Sequence, residues 1–526
     1  MSNEYRSRSS RHERRRSRWA NKKSDVVKTA ANQEINQLEE SENQTVGRVS
    51  RPKATQEETL KIPLVVYGLL TALSAILALT FYAFPLWKPV TTAIQSQNLY
   101  SGFAMHQGLV PYNDFYGAGG SLFYLINWLG NIGGNTWLLW LFEIIALLIS
   151  GLLVYRLVSQ QTKNHTASTT VSAFTLVIIT GLARGGDSPT LFALPFALWA
   201  ALFLSQYFQD DSTDKGFIRF GMAGAFTLVI SPLMSVFFVL SAIALLIYNI
   251  GKGRIGHGIY QMLATIFGVL LVGYSVAYYS LEEQTLYTSI EQSILIPFTH
   301  FGPSGDFLLT FAKALVLILI FGIVASFVQG VIQLKKGGAM TIWYLMLLIG
   351  IVGVTAMVVF AKTFDTSNLL AVVPFTIVFA GLGLKDSDQI LLKYLQNRLF
   401  APVLAVLFVI FTPISYHFMN QTIASEEKNV AQYIEATAKS SDRVYVVSES
   451  KNINNLTKTV STLDNVPASY PVKFTQNYNL KVEKLTDKFV ILQANQKVPT
   501  ALKKVLNKNY KLADYSGKYF QVYQKK

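Results

Sequence analysis

The chain contains no cysteine, which excludes thiol nucleophiles, disulfides and cysteine-bound metals, and its six histidines show no HxxxH or HxxE spacing of a metal motif. Chemistry is left to carboxylates and cations. Residues 85–124 read PLWKPVTTAIQSQNLYSGFAMHQGLVPYNDFYGAGGSLFY and hold one acidic side chain, Asp114. A lone carboxylate at the mouth of a membrane cavity is a functional candidate, yet a Pro-Tyr-Asn-Asp turn can equally use its Asp to cap the backbone, and both readings stand. A second constellation is the tight turn Ala183-Arg184-Gly-Gly-Asp187-Ser-Pro189. Arg184 and Asp187 either pair with each other or face a polar cavity, because a charge facing lipid would be costly. A third lies in the 280–306 loop, where Glu282, Glu283, Glu291, His300 and Asp306 collect. His300 there is either a hydrogen-bonded loop residue or a catalyst.

The elements that must position these residues are membrane helices. With 51% hydrophobic and 15% charged residues over 526 positions, the chain is a polytopic membrane protein. Apolar segments fall near 62–84, 137–158, 168–184, 189–208, 217–231, 233–250, 259–279, 307–332, 340–361, 367–384 and 399–418, about eleven transmembrane helices. The fold class is therefore mainly α, a polytopic helical bundle with a small C-terminal extracytoplasmic α/β domain. Much of the net charge of +15 sits at the two ends. Residues 1–61 are polar and Arg-rich, from Arg6 to Arg18, and read as a disordered basic cytoplasmic tail held on anionic lipid rather than on nucleic acid. No signal peptide precedes the first apolar run.

With the N-terminus cytoplasmic, the loops carrying Arg156 and Lys163, Lys252 and Arg254, and Lys335 and Lys336 fall inside, in keeping with the positive-inside rule. The transmembrane domain spans 62–418, and its 85–136 loop lies outside, as does the domain over 419–526. Within the loop, 95–107 suits a surface helix anchored by Leu99, Phe103 and Met105, and Gly117, Gly119 and Gly120 let the backbone turn. The stretch 294–298, Ile-Leu-Ile-Pro-Phe, can dip into the bilayer. In the C-terminal domain, 426–439 and 499–507 read as helices and 443–447, 489–492 and 519–523 as strands. No phosphate loop and no Ser/His/Asp set can be assembled there.

The layout resembles a known family. An N-terminal span followed by Leu-Tyr…Gln-Gly-Leu-Val-Pro-Tyr-Asn-Asp-Phe-Tyr-Gly, then Ser121-Leu-Phe-Tyr-Leu-Ile-Asn127 and Val154-Tyr-Arg-Leu157, resembles the C-type glycosyltransferases, GT-C, of the mannosyltransferase and aminoarabinose-transferase-like branch. Ser367-Asn-Leu-Leu-Ala-Val-Val-Pro374, Ser441-Asp-Arg-Val-Tyr-Val and Ala468-Ser-Tyr-Pro471 extend the likeness over nearly the whole chain. The family implies transfer of a sugar from a polyprenyl-phosphate carrier to a glycan, glycolipid or protein acceptor at the outer face of a bacterial plasma membrane.

Its first outer loop normally carries an Asp-Glu pair that acts as general base or binds a divalent cation. Here Ser96 and Gln97 stand in that place, and neither can take a proton at neutral pH. Asp114 matches the family's second acidic position, and Asp187 is the next candidate base. Lys88, Arg184 or Lys362 can meet the phosphate. Trp87, Tyr100, Tyr112, Phe115, Tyr116, Tyr124 and Trp128 can stack on a sugar or form an interfacial aromatic belt. Three functions follow: a glycosyltransferase, a catalytically inactive partner of the same fold in envelope-glycan assembly, and a lipid or solute transporter. Against the last, no repeated halves or paired broken helices are evident.

Overall fold

The computed structural model describes residues 61–86, 90–209, 216–302, 306–338, 340–384, 388–439, 441–494 and 496–526. The basic tail before Lys61, together with Trp87 and Lys88, lies outside the described residues. Helices follow in the order α1 (Leu64–Ala78), α2 (Ala93–His106), α3 (Ser121–Gly130), α4 (Trp137–Thr162), α5 (His165–Ala183), α6 (Pro189–Phe208), α7 (Gly216–Ile230), α8 (Val236–Gly251), α9 (Ile255–Glu282), α10 (Phe307–Ile320), α11 (Ile323–Lys336), α12 (Thr341–Val359), α13 (Thr366–Phe379), α14 (Ile390–Asn397) and α15 (Ala401–Thr437). Seven helices are long and apolar enough to cross a membrane, the bent pair α10–α11 makes an eighth span, and α1, α7 and α13 are shorter apolar helices. Each of the eleven apolar segments of the sequence thus became a helical element.

Close packing sets where the helices meet. A Cβ on Gly221 would lie 2.0 Å from the Thr265 carbonyl, and one on Gly268 would lie 2.1 Å from the Ile218 carbonyl, so these glycines let α7 and α9 touch backbone to backbone.

The structure corrects four local expectations. The 307–332 segment is two helices meeting at 61°, because Gly322 takes φ +69° and ends the hydrogen-bond ladder of α10. The 367–384 segment is a shorter, distorted helix of tight and regular turns, interrupted where Pro374 has no amide proton to give. The 280–306 loop is mostly helical, since α9 runs on to Glu282 and 286–299 forms further turns that bury Gln292 and Ile296. The separate helix expected over 426–439 is the end of α15, which passes through 419–425 without meeting a glycine or proline.

The C-terminal domain is a four-stranded sheet ordered β1-β2-β4-β3, from Val444–Val447, Phe489–Gln493, Tyr510–Leu512 and Phe520–Lys525. β1 and β2 are parallel; β4 runs antiparallel to β2 and β3. Alternation along the strands sends Val444, Val446, Phe489 and Ile491 toward Val430 and Ile434 of α15, and Tyr445, Val447, Val490 and Leu492 toward Tyr478 and Leu502. Those last two belong to α17 (Val472–Val482) and α18 (Thr500–Asn509), while α16 (Asn452–Thr457) lies in the crossover. With both faces covered, the strands read as continuous apolar runs.

Candidate functional site

The turn between α5 and α6 places four successive residues in the left-handed region: Arg184 (φ 43°), Gly185 (99°), Gly186 (78°) and Asp187 (40°). Two of them are not glycine, a strained arrangement that its surroundings must hold. The Tyr82 amide donates to the Gly185 carbonyl at 2.8 Å. Asn98 on α2 donates to the Asp187 carbonyl at 2.6 Å, and Asn127 on α3 donates to its carboxylate at 3.0 Å. The Asp187 amide donates to the Glu143 carboxylate on α4. Asp187 and Glu143 are both fully buried. One carboxylate oxygen of each, with Asn127 Oδ1 and Gln95 Oε1, has no hydrogen-bond partner among the described residues. Burial pushes the Asp187 carboxyl up to about 7, with the Asn127 bond pulling the other way.

Arg184 does not pair with Asp187. Its guanidinium sits 5.3 Å over the Tyr416 ring, and no carboxylate lies within ion-pair distance of it among the described residues. Its charge acts on Asp365, whose carboxyl is raised by burial against the bonds from Ser367 and the pull of Arg184.

Beside this turn, residues of the 82–91 segment, α2, the 131–136 segment, α15 and α16 line a cavity of roughly 580 Å³. Tyr82, Phe84, Pro85, Leu99 and Phe103 give it an apolar wall, while His417, Glu427, Lys428, Asn452 and Lys458 give it a polar rim. Tyr82 also lines the small pocket that holds Arg184. Asn131 links the cavity to the buried acids, since it lines the one and donates to the Asn127 carbonyl behind it at 3.1 Å.

The residues singled out from the sequence scatter around this centre. Asp114 is exposed and its carboxylate accepts from the Val110 amide at 2.8 Å, which is the capping role of the two open readings. Gln97 donates to the Glu449 carbonyl at 2.9 Å, and Ser96 accepts from the Lys451 amide at 2.9 Å, so the place of the family's acidic pair holds the C-terminal domain. Tyr100 is buried beneath Lys451, whose ammonium lies 5.4 Å from its ring. Tyr112, with φ 67°, donates its hydroxyl to Gly119, and its carbonyl accepts from Gln292. Tyr116 donates its amide to Asp464 and packs edge-on against Tyr470 and Phe474. His300 bonds the neighbouring Thr299 hydroxyl, and Lys362 lies beside Gly302, both next to the Phe301–Ala361 bridge rather than in the cavity.

Leu99 and Phe103 line the cavity and, with Met105, are partly buried against the protein core. Phe115, Tyr124 and Trp128 pack on protein neighbours as well. Among the described residues no three His, Asp or Glu side chains converge to hold a metal. Reading the sequence missed Glu143, the single charge in the first nineteen residues of apolar α4, although an isolated acid inside a span was signal enough. It also missed Glu427, which only the fold carries to the cavity.

The family model of the competence-induced Ccs4 N-terminal domain matches residues 55–421, and that of the Ccs4 C-terminal domain matches 424–526. The chain belongs to the Ccs4 family. Among curated proteins none matches it in sequence. Its structure is similar to that of ArnT from Cupriavidus metallidurans bound to undecaprenyl phosphate, with a TM-score of 0.62 at 10% identity, covering 88% of this chain and 98% of ArnT. The apo ArnT structure gives 0.57 at 10% identity, over 87% and 98%. This Ccs4-family chain therefore has the GT-C fold that its sequence layout resembles.

Proposed function

We propose that this protein is a membrane glycosyltransferase that moves a sugar from a polyprenyl-phosphate carrier to a cell-envelope acceptor at the outer face. The observation that carries the reading is the cavity of roughly 580 Å³, in which an apolar wall meets a rim bearing Glu427, Lys428 and Lys458 beside Arg184. A lipid phosphate needs that pairing of apolar surface and cationic groups. ArnT, which shares the fold, binds undecaprenyl phosphate in its structure. The 85–136 loop and the C-terminal domain bond to each other and so lie on one side, and the basic loops of the sequence support reading that side as the outer one.

Titrating detergent-solubilised full-length protein with undecaprenyl phosphate tests the donor half of the reading. Arg184→Gln should weaken binding about tenfold, the effect of losing roughly 1.4 kcal/mol. Comparing lipid-linked sugars and envelope glycans with and without the protein tests the transfer. The carrier-linked sugar should accumulate and a glycan should lose a residue in its absence; unchanged profiles would sink the reading. The inactive-partner reading draws on one observation, the capture of Ser96 and Gln97 by the C-terminal domain. It predicts a lost glycan with no carrier turnover by the purified protein.

A further inference from the structure

We infer that Glu427 is the group that takes the acceptor's proton, an assignment that rests on the transferase reading. Glu427 is the one carboxylate among the described residues lining the cavity, and only 5% of it is exposed. Two side chains of the C-terminal domain hold it. Asn452 donates to its Oε2 at 3.1 Å, and Ser450 also bonds it. The Asn452 carbonyl oxygen in turn accepts from the Thr91 hydroxyl, so the amide is pinned from both ends. A carboxylate offers about four lone-pair directions, and these two bonds leave others for a hydroxyl entering the cavity. Asp114 is spent on the Val110 amide, and Asp187 stands behind Asn127 and Asn131, outside the cavity lining.

The step balances without a co-reactant. The acceptor oxygen forms a bond to the anomeric carbon while the bond from that carbon to the carrier phosphate breaks. The electron pair leaves on the phosphate, and the acceptor's hydroxyl proton passes to Glu427 and then to water. Residues of α15 place Glu427 in the same cavity lining as His417 and Lys428, and Lys458 of the C-terminal domain lines it as well. The arrangement puts cations near a departing phosphate and a carboxylate near an arriving alcohol.

The test uses full-length protein in liposomes supplied with a panel of undecaprenyl-phosphate hexoses and an envelope glycolipid extract, reading release of undecaprenyl phosphate. If the wild type releases none from any donor, the transferase reading falls and this assignment with it. Given an active wild type, Glu427→Gln should lower kcat at least a hundredfold while binding undecaprenyl phosphate as before, and Glu427→Asp should recover part of the rate. Turnover by Glu427→Gln within threefold of wild type overturns the assignment and leaves the transferase reading intact. Should Glu427→Gln fail to fold, Asn452→Ala gives the second measure: kcat drops about tenfold with KM for the donor unchanged if Asn452 aims the carboxylate, whereas an unchanged kcat overturns the assignment.

Discussion

At the residue scale, the buried acids make two predictions. Asp187 has its carboxyl raised from an ordinary value of 3.8 to about 7, so the folded state holds a proton that the unfolded chain releases. Its contribution to stability is complete below pH 3.8 and is lost as pH rises through 7, a swing on the order of a few kcal/mol. Thermal unfolding in detergent should therefore show Tm falling between pH 4 and 7, with a smaller fall in Asp187→Asn. An identical slope in the variant would refute the shift. Gly186→Ala should cost more than the usual 1–3 kcal/mol of backbone strain, roughly, because a Cβ there lands 2.3 Å from the Glu143 carboxylate as well as at φ 78°. Loss of folded yield would register it. The Arg-Gly-Gly-Asp turn was visible in the sequence as charges in a tight place. That its two charges part company was not, because the partner of Asp187 is forty-four positions away on α4.

At the scale of elements, periodicity and length located all eleven apolar segments, while their breaks depended on single residues. Gly322 shows this: its φ of 69° divides one apolar run into two helices. Gly322→Ala should destabilise the protein by roughly 1–2 kcal/mol, read as a lower Tm, since an alanine pays the left-handed penalty there. A rise in Tm would mean the bend is not imposed by that residue. In the C-terminal domain, β1, β2 and β4 were legible as apolar runs. The edge strand β3, three residues with Lys511 and Leu512 exposed, carries too little pattern to be read.

At the scale of the whole molecule, the 85–136 loop and the C-terminal domain are joined by a polar seam. Lys451 and Asp464 form a buried ion pair at 2.6 Å, with Lys451 lying over Tyr100 and Asp464 accepting from the Tyr116 amide. Removing one partner strands the other charge, so Lys451→Ala should cost about 3–5 kcal/mol. Limited proteolysis should then release the C-terminal domain faster than in wild type, and equal rates would show the seam to be held by its other bonds. The layout resemblance pointed to this two-part molecule, but no sequence spacing foretells that the seam grips Ser96 and Gln97. α15 connects the two parts as one helix of 37 residues, a path of roughly 55 Å at 1.5 Å per residue. Such a shaft transmits rotation. One residue added within 419–425 would turn everything beyond it by about 100°, carrying Glu427 off the cavity wall and unmeshing the seam at a single stroke, whereas the same insertion in an exposed loop would pass almost unfelt.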